Sequence, residues 1–399
     1  MSSRFPGGFD KPNIYPAVTG TGTTRWTGMW TLTDAANALV ADNWPSAPIW
    51  GTGAGTNGQL GLGNTTNYSS PKQVGNIMIP YTDLASQTGG AHALRQNGTL
   101  WAWGENSNGS VGDGTTVNKS SPVQIGALTA WSKISGGESS CHAIKSDGTL
   151  WAWGANFTGN LGDGTIVAKS SPIQIGALTT WSKIAAGGGR TYAIKSDGTL
   201  WAWGYNGAGA LGLGNTTDYS SPKQVGALTT WTAITSCLGQ SGNAKALKTD
   251  GTLWTWGNGP QGQLGDGYAI SRSSPVQIGV LTTWTALGNC GAIKGGELWQ
   301  WGLNSSSQLG LGSTTNYSSP KQVGVQTNWS SLSNGASNST FCTAIKTDGT
   351  LWGWGVNTQA QLGLNNTTSP VRIPTQISNL TTWIKTTNTN TATLHLKAV

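Results

Sequence analysis

A closed all-β ring of seven repeated sheets, a seven-bladed β-propeller, is the fold predicted for this 399-residue chain. Three observations predict it: a Trp-Gly dipeptide returns at a near-constant interval, short apolar stretches alternate with glycine-centred turns, and the two ends of the repeat array complement each other. The composition agrees. Sixty glycines and 22 tryptophans beside only 9% charged residues lie far from ordinary soluble-protein usage. Disordered glycine-rich chains lack aromatics, so the glycines here must punctuate turns between packed strands.

The period is read first, because internal repeats decide the fold. Trp-Gly marks it at Trp50, Trp103, Trp153, Trp203, Trp256, Trp301 and Trp354, with spacings of 53, 50, 50, 53, 45 and 53 residues. In the unit from Trp131 to Thr180, Ala143-Ile144-Lys145 reads as a short strand and Ser146-Asp147-Gly148 as a tight turn. Thr149 to Trp153 is the returning strand, with Trp151 and Trp153 on one face and Leu150 and Ala152 on the other. A strand apolar on both faces must be covered on both sides, as face-to-face blades do. A glycine-rich loop, Pro172 to Ile175, and a Leu178 to Ile184 segment carrying Trp181 complete about four strands per unit.

The ends predict closure. The first unit starts at Ile49-Trp50-Gly51 without the preceding hairpin strand, and the last stops after Leu394-His395-Leu396-Lys397-Ala398-Val399, which matches that missing strand. One blade is therefore expected to form from both ends of the chain, removing open sheet edges. Tyr81 stands where other units begin with tryptophan.

The unit WxxIxxG…AIKxDGTLWAWGxNxxGQLGxG…SSPxQVG resembles the repeat of the regulator of chromosome condensation family over roughly residues 47–399, with the Gln-Leu-Gly-x-Gly loop recurring at Gly58 to Gly63 and Ser307 to Gly312. The resemblance implies the seven-bladed fold. Family members include a nucleotide-exchange factor for a small GTPase and many propellers used for binding. Exchange activity is not expected here, because no blade has an insertion long enough for a wedge and a basic tail is missing.

Charge and chemistry narrow the function classes. The net charge is +7, but Lys145, Lys195, Lys248, Lys294, Lys346 and Lys397 share one repeat phase and Lys72, Lys223 and Lys321 a second. Charge spread around a ring makes a poor nucleic-acid groove, so no nucleic-acid partner is expected. No stretch reaches the length of a membrane span, and no signal-peptide pattern opens the chain. Cys141, Cys290 and Cys342 occupy one repeat position, a blade apart, and with the fourth cysteine read as buried packing instead of disulfides. His92 and His142 share a phase and His395 lies on the closing strand; they could face a common channel, but structural histidines are expected and no metal or cofactor. Asp147, Asp197, Asp250 and Asp348 occupy the hairpin turn, where Asn97 replaces them in one unit, and Asp113, Asp163 and Asp266 lie in glycine loops. Without a nucleophile elbow, phosphate loop or zinc spacing, no catalytic residue is expected and the chain is read as non-enzymatic.

The tryptophans after residue 49 fall at positions that alternation assigns to blade packing. Loop aromatics Tyr68, Phe157, Tyr205, Tyr219 and Tyr317 are the better candidates for facing a ligand such as a glycan.

Residues 1–46 follow another pattern and are expected to form a docking arm, with the propeller at 47–399. Phe5-Pro6-Gly7-Gly8-Phe9 and a Thr/Gly run read as extended chain, and Asp34 to Asp42 as a short helix capped by Thr33 and stopped by Trp44-Pro45. The stretch GMWTLTDAANALVADNWP resembles an N-terminal segment of structural proteins of tailed bacteriophages. Phe5, Phe9, Trp26, Trp30, Leu32 and Trp44 would then dock the arm onto another virion subunit, leaving the ring displayed in many copies on a particle assembled in the host cytoplasm. Capsid decoration and a tail or fibre position both fit, with contact to host-surface glycan or protein. A cellular binding propeller or a lectin is the alternative for the ring, and folding back over its own propeller is the alternative for the arm.

Overall fold

The computed structural model describes residues 48–398 except 76–78, 128, 237–241, 290 and 334–339. Residues 1–47, and with them the helix expected at Asp34 to Asp42 and the arm's candidate docking residues, lie outside the described residues. The rest forms seven four-stranded antiparallel sheets arranged as a ring. A single 3-10 turn, Gly207–Gly209, is the only helical element among the described residues.

Blade two shows the plan. Its inner strand is Trp131–Gly136, the second Ser140–Lys145, the third Leu150–Gly154 and the outer Lys169–Gln174. The inner strands of neighbouring blades face one another around the axis. Leu178 falls in the exposed linker between blades and not in a strand, as the segment starting at that residue had implied; the strand begins at Trp181. Each inner strand carries a bulge just after its first residue. In blade two the Ser132 hydroxyl donates across it to the Ile144 carbonyl at 3.0 Å, which steadies the local kink.

Alternation does the packing. Leu100 and Ala102 on one face of blade one meet Trp131 and Trp153 of blade two in a single buried cluster. Trp103, Trp153, Trp203, Trp256 and Trp354 have no exposed surface. Their neighbours two residues earlier, such as Trp151, are half-buried at one end of the ring. There each half-buried indole stacks under a cation: Lys145, Lys195, Lys248 and Lys346 sit 4.2, 3.8, 3.5 and 3.8 Å from the rings of Trp151, Trp201, Trp254 and Trp352. The lysine phase of the repeat is thus a structural column.

The turn at this end is equally regular. Asp147 Oδ1 accepts from the Thr149 amide at 2.9 Å and its hydroxyl at 2.7 Å, and that hydroxyl accepts from Trp151 Nε1 at 3.0 Å. Those Thr149 hydrogen bonds hold the Asp147 carboxyl below the usual range. Asn97 makes the same bonds to Thr99 in blade one. Asp147→Asn should therefore leave the melting temperature unchanged, whereas Asp147→Ala should lower it measurably; equal melting curves for both would refute this role.

Closure follows the expected plan. Ile49–Gly53 pairs with Ala392–Lys397, from Ile49 opposite Leu396 to Gly53 opposite Ala392. Tyr81 opens the inner strand of blade one, 2% exposed, in the place of tryptophan. The seam is polar: Ser86 Oγ lies 2.6 Å from Thr387 Oγ1 and donates to the Asn388 carbonyl at 2.6 Å. Lys385 pairs with Asp83 across it.

One alignment changes. Trp50 was matched with Trp103 because both precede glycine. The strand Ile49–Gly53 shares the burial order of Leu100–Gly104, which puts Trp50 with the half-buried Trp101 and Thr52 with Trp103. Registering on the dipeptide is two residues out, because the third strand of the closing blade has Thr52 where the other blades have the buried tryptophan.

Candidate functional site: the loop end of the ring

Strand direction sorts the connections. The Ser146–Gly148 type of turn and the linkers between blades lie at one end of the ring, the turn end. The short loops from inner to second strand and the long loops from third to outer strand lie at the other, the loop end.

A column of carbonyls pins each loop to the next blade. Trp103 Nε1 donates to the Gln59 carbonyl at 3.0 Å, Trp153 to Ser110 at 3.0 Å, Trp203 to Asn160 at 2.9 Å, Trp301 to Gln263 at 3.1 Å and Trp354 to Gln308 at 2.9 Å. The exceptions are informative. In the closing blade no indole reaches the equivalent carbonyl, that of Gln361, which accepts from the Thr393 hydroxyl at 2.6 Å, while the Thr52 hydroxyl donates to the Tyr68 carbonyl at 2.9 Å. At Ala210 the Tyr192 hydroxyl takes the carbonyl, and Trp256 Nε1 is buried with no partner among the described residues. The glycine after each of these loops has to be glycine: Gly112 has φ +89°, and a Cβ there would stand 2.5 Å from Trp153 Nε1.

His92 and His142 serve the same column. Their Nε2 atoms lie 2.9 Å from the carbonyls of Ser110 and Asn160. A carbonyl only accepts, so Nε2 carries the proton and Nδ1 is bare and buried. His395 does not share this position. Leu394 takes it, and His395 faces the other side of the sheet, with Nδ1 3.0 Å from Thr386 Oγ1. The three rings therefore face blade interfaces and no common channel. Burial pushes His92 and His142 down to about 4 and His395 to about 3. Cys141 and Cys342 are buried, and burial raises the Cys141 thiol well above its ordinary value; Cys237 and Cys290 lie outside the described residues. Among the described residues no group of three or more His, Cys, Asp or Glu side chains could hold a metal.

The five loop aromatics separate into two sets. Tyr68, Tyr219 and Tyr317 each open an outer strand in three different blades, with Lys72, Lys223 and Lys321 at 5.8, 5.4 and 5.6 Å from their rings. Phe157 and Tyr205 come together. They line an open groove of about 400 Å³ between blades two and three, with Glu138, Ala155, Thr158 and Gly188. Phe157 is 70% exposed.

The groove comes from departures at two repeat positions. The residue after Trp-Gly is Glu105 in blade one, Ala155 in blade two and Tyr205 in blade three. Glu105 lies across its neighbouring turn, close enough that a Cβ on Gly89 would meet its Oε2 at 2.3 Å. Ala155 leaves that space empty, and Tyr205 forms the far wall. Tyr205 folds over its own loop, where a Cβ on Gly207 would stand 2.0 Å from its hydroxyl. Phe157 occupies a position held by Ser107 and Gly207 in the adjoining blades. Thr158 Oγ1 donates to Gly189 O at 2.6 Å and fixes the two lips to each other. Reading the aromatics alone misses Glu138 and Ala155, which line the groove beside them; Ala155 carries no signal of its own, since Ala54 stands at the same position in the closing blade.

With the ring and its loops laid out, the comparisons are direct. The model described as the regulator of chromosome condensation (RCC1) repeat matches residues 48–80, 97–144, 147–194, 197–241, 250–291, 295–342 and 348–387. The chain belongs to the RCC1-repeat family. A second model of the RCC1 repeat matches residues 181–210. The full-length repeat matches straddle blades: 97–144 runs from the hairpin turn of blade one to the second strand of blade two, so each RCC1 repeat ties two sheets together. Prp20p from Saccharomyces cerevisiae, whose structure was described with its binding to Gsp1p and histones, is 19% identical with a TM-score of 0.75, over 88% of this chain and 91% of that one. The structure of Kap60 bound to yeast RCC1 (Prp20) matches at 18% identity and TM-score 0.76, over 96% of each chain. Human WBSCR16 is 16% identical with a TM-score of 0.75, over 88% of this chain and 99% of that one. At these identities the likeness speaks for the fold. No enzymatic family is indicated, and no helix among the described residues is long and apolar enough to cross a membrane.

Proposed function

We propose that this RCC1-repeat propeller is a non-enzymatic binding module that meets a macromolecular partner at the loop end, through the groove between blades two and three. The observation that carries this reading is the pairing of Phe157, 70% exposed, with Tyr205 across a floor left open by Ala155. Most large aromatics of the repeat are buried in the blade interfaces; here an exposed ring stands beside a mainly apolar notch with a few polar groups, the combination by which binding surfaces anchor a partner. Protein is the partner class favoured, since yeast Prp20 is described in complex with a protein. Phe157→Ala and Tyr205→Ala should each weaken capture of intact cells or of solubilised cell-surface protein by about tenfold or more while leaving the melting temperature within a degree or two. Capture unchanged in both variants would move the binding face elsewhere. Loss on a glycan array alone would favour the lectin alternative.

A second reading is favoured by one specific observation, the sequence GMWTLTDAANALVADNWP before the ring. We infer that the arm, through Phe5, Phe9, Trp26, Trp30, Leu32 and Trp44, attaches the propeller to another virion subunit of a bacteriophage, as capsid decoration or a tail or fibre component. Its basis is the resemblance of that segment and its apolar side chains. Protein identification on gradient-banded particles tests it: a fixed copy number per particle supports display, and absence from every particle fraction removes it and leaves a free binding propeller.

A further inference from the structure

We propose that the group seated in the groove between blades two and three is an arginine side chain of the protein partner, with Glu138 as its counter-charge and Phe157 and Tyr205 as its aromatic contacts. This rests on that groove being the binding face. The first observation is a carboxylate without a cation. Glu138 is half-buried in the turn between the inner and second strands of blade two and lines the groove. The same turn position is Thr88 in blade one, Gly188 in blade three and Asn390 in the closing blade, so the acid belongs to this groove and not to the repeat. The ion pairs among the described residues join Lys119, Lys169, Arg272, Lys294 and Lys385 to other acids, and none involves Glu138. A carboxylate beside two aromatic side chains favours a cationic group over a neutral or anionic one.

The second observation comes from the next interface around the ring. Strand pairing makes Ser140 and Arg190 equivalent, since they stand opposite Gly154 and Gly204. Arg190 is 1% exposed and reaches across to blade four, where a Cβ on Gly242 would stand 0.8 Å from its Nη1. The same guanidinium lies 5.9 Å from the Tyr205 ring. Between blades three and four the fold therefore already seats an arginine beside this tyrosine and against a glycine. Between blades two and three the small Ser140 leaves that place to be filled from outside, and Gly189, the counterpart of Gly242, lines the groove. A guanidinium suits it better than an ammonium, because its flat face stacks on aromatic rings while its edge offers paired donors to one carboxylate.

A fluorescent glycine-rich peptide with one central arginine, and the same peptide with citrulline in its place, test the assignment by anisotropy with the full-length protein. Citrulline keeps the shape and loses the charge. The arginine peptide should bind about tenfold tighter than the citrulline peptide, and Glu138→Gln should erase that difference without moving the melting temperature. Ser140→Arg, which copies the arrangement of blade three, should fill the groove from within and abolish binding of the arginine peptide. Equal binding of the two peptides, or an arginine preference untouched by Glu138→Gln, overturns the proposal. If Phe157→Ala still weakens cell capture in that case, the binding face stands without the arginine. Capture that survives both Phe157→Ala and Tyr205→Ala removes the binding face and the proposal together.

Discussion

Replacing Trp153 by alanine is expected to cost about 3–5 kcal/mol of folding stability, the range for emptying a large buried aromatic site. The indole has no exposed surface. Its ring meets Trp131 edge-on at 6.2 Å and His92 at 5.8 Å, and it fills the interface into which Leu100 and Ala102 of blade one pack. Trp153→Phe separates the two contributions. It keeps most of the apolar volume and loses the donor to the Ser110 carbonyl. That carbonyl still accepts from His92 Nε2 at 2.9 Å, so the phenylalanine variant should lose only about 1–2 kcal/mol. Urea unfolding of the three proteins reads both values. A loss under about 1 kcal/mol for the alanine variant would mean the blade interface closes over the gap, contrary to the packing described.

Acid should weaken the ring well before the carboxylates titrate. His92, His142 and His395 are buried and neutral, held at about 4, about 4 and about 3. Desolvation is the main cause, because protonation would place a charge on a buried ring nitrogen without a partner. In the unfolded chain these rings titrate near 6.5, so between pH 6.5 and 4 the unfolded state binds more protons and stability falls as pH falls. The loss amounts to roughly 2–3 kcal/mol per ring by pH 4.5 and is absent above about pH 7. Asp113 and Asp163 act lower. Burial raises both, but hydrogen bonds from Lys119, Thr115, Thr165 and Asn156 and the charge of Lys169 outweigh it and keep them below their ordinary value; their contribution is present above about pH 4 and lost beneath it. Denaturant unfolding at pH 7.5, 6 and 4.5 measures the slope. His395→Ala, which installs the residue type found at this position in blades one and two, should remove about a third of it. A stability flat from pH 7.5 to 4.5 would show that the rings are accessible to protons in the folded state.

Most of the ring was legible in the sequence because a repeat shows its pattern several times. Leu150 to Trp153 alternates in a way that commits both faces to burial, and the hairpin turn is marked by Asp147 and by its Asn97 equivalent. Even closure could be read, since Leu394 to Lys397 completes the unit that Ile49 begins. The register of the closing blade was not legible. Trp50-Gly51 imitates the repeated dipeptide, and only strand pairing shows that Thr52 stands where the other blades have the fully buried tryptophan. His395 was misplaced for the same reason: a one-residue difference in phase turns a strand side chain to the opposite face.

The candidate site was half legible. Phe157 and Tyr205 stand out as aromatics in loops, but so do Tyr68, Tyr219 and Tyr317, and local sequence contains nothing that separates the pair from the other three. Alternation, turn chemistry and repeat phase are local properties, carried by neighbours within one strand or hairpin, and the sequence by itself determined them together with the family and the number of blades. Which side chains from different blades share a space depends on curvature around the ring and on what is missing between them. The groove exists because Ala155 leaves unfilled the volume that Glu105 occupies one blade earlier, and a void between sheets is decided only when the sheets are packed against each other.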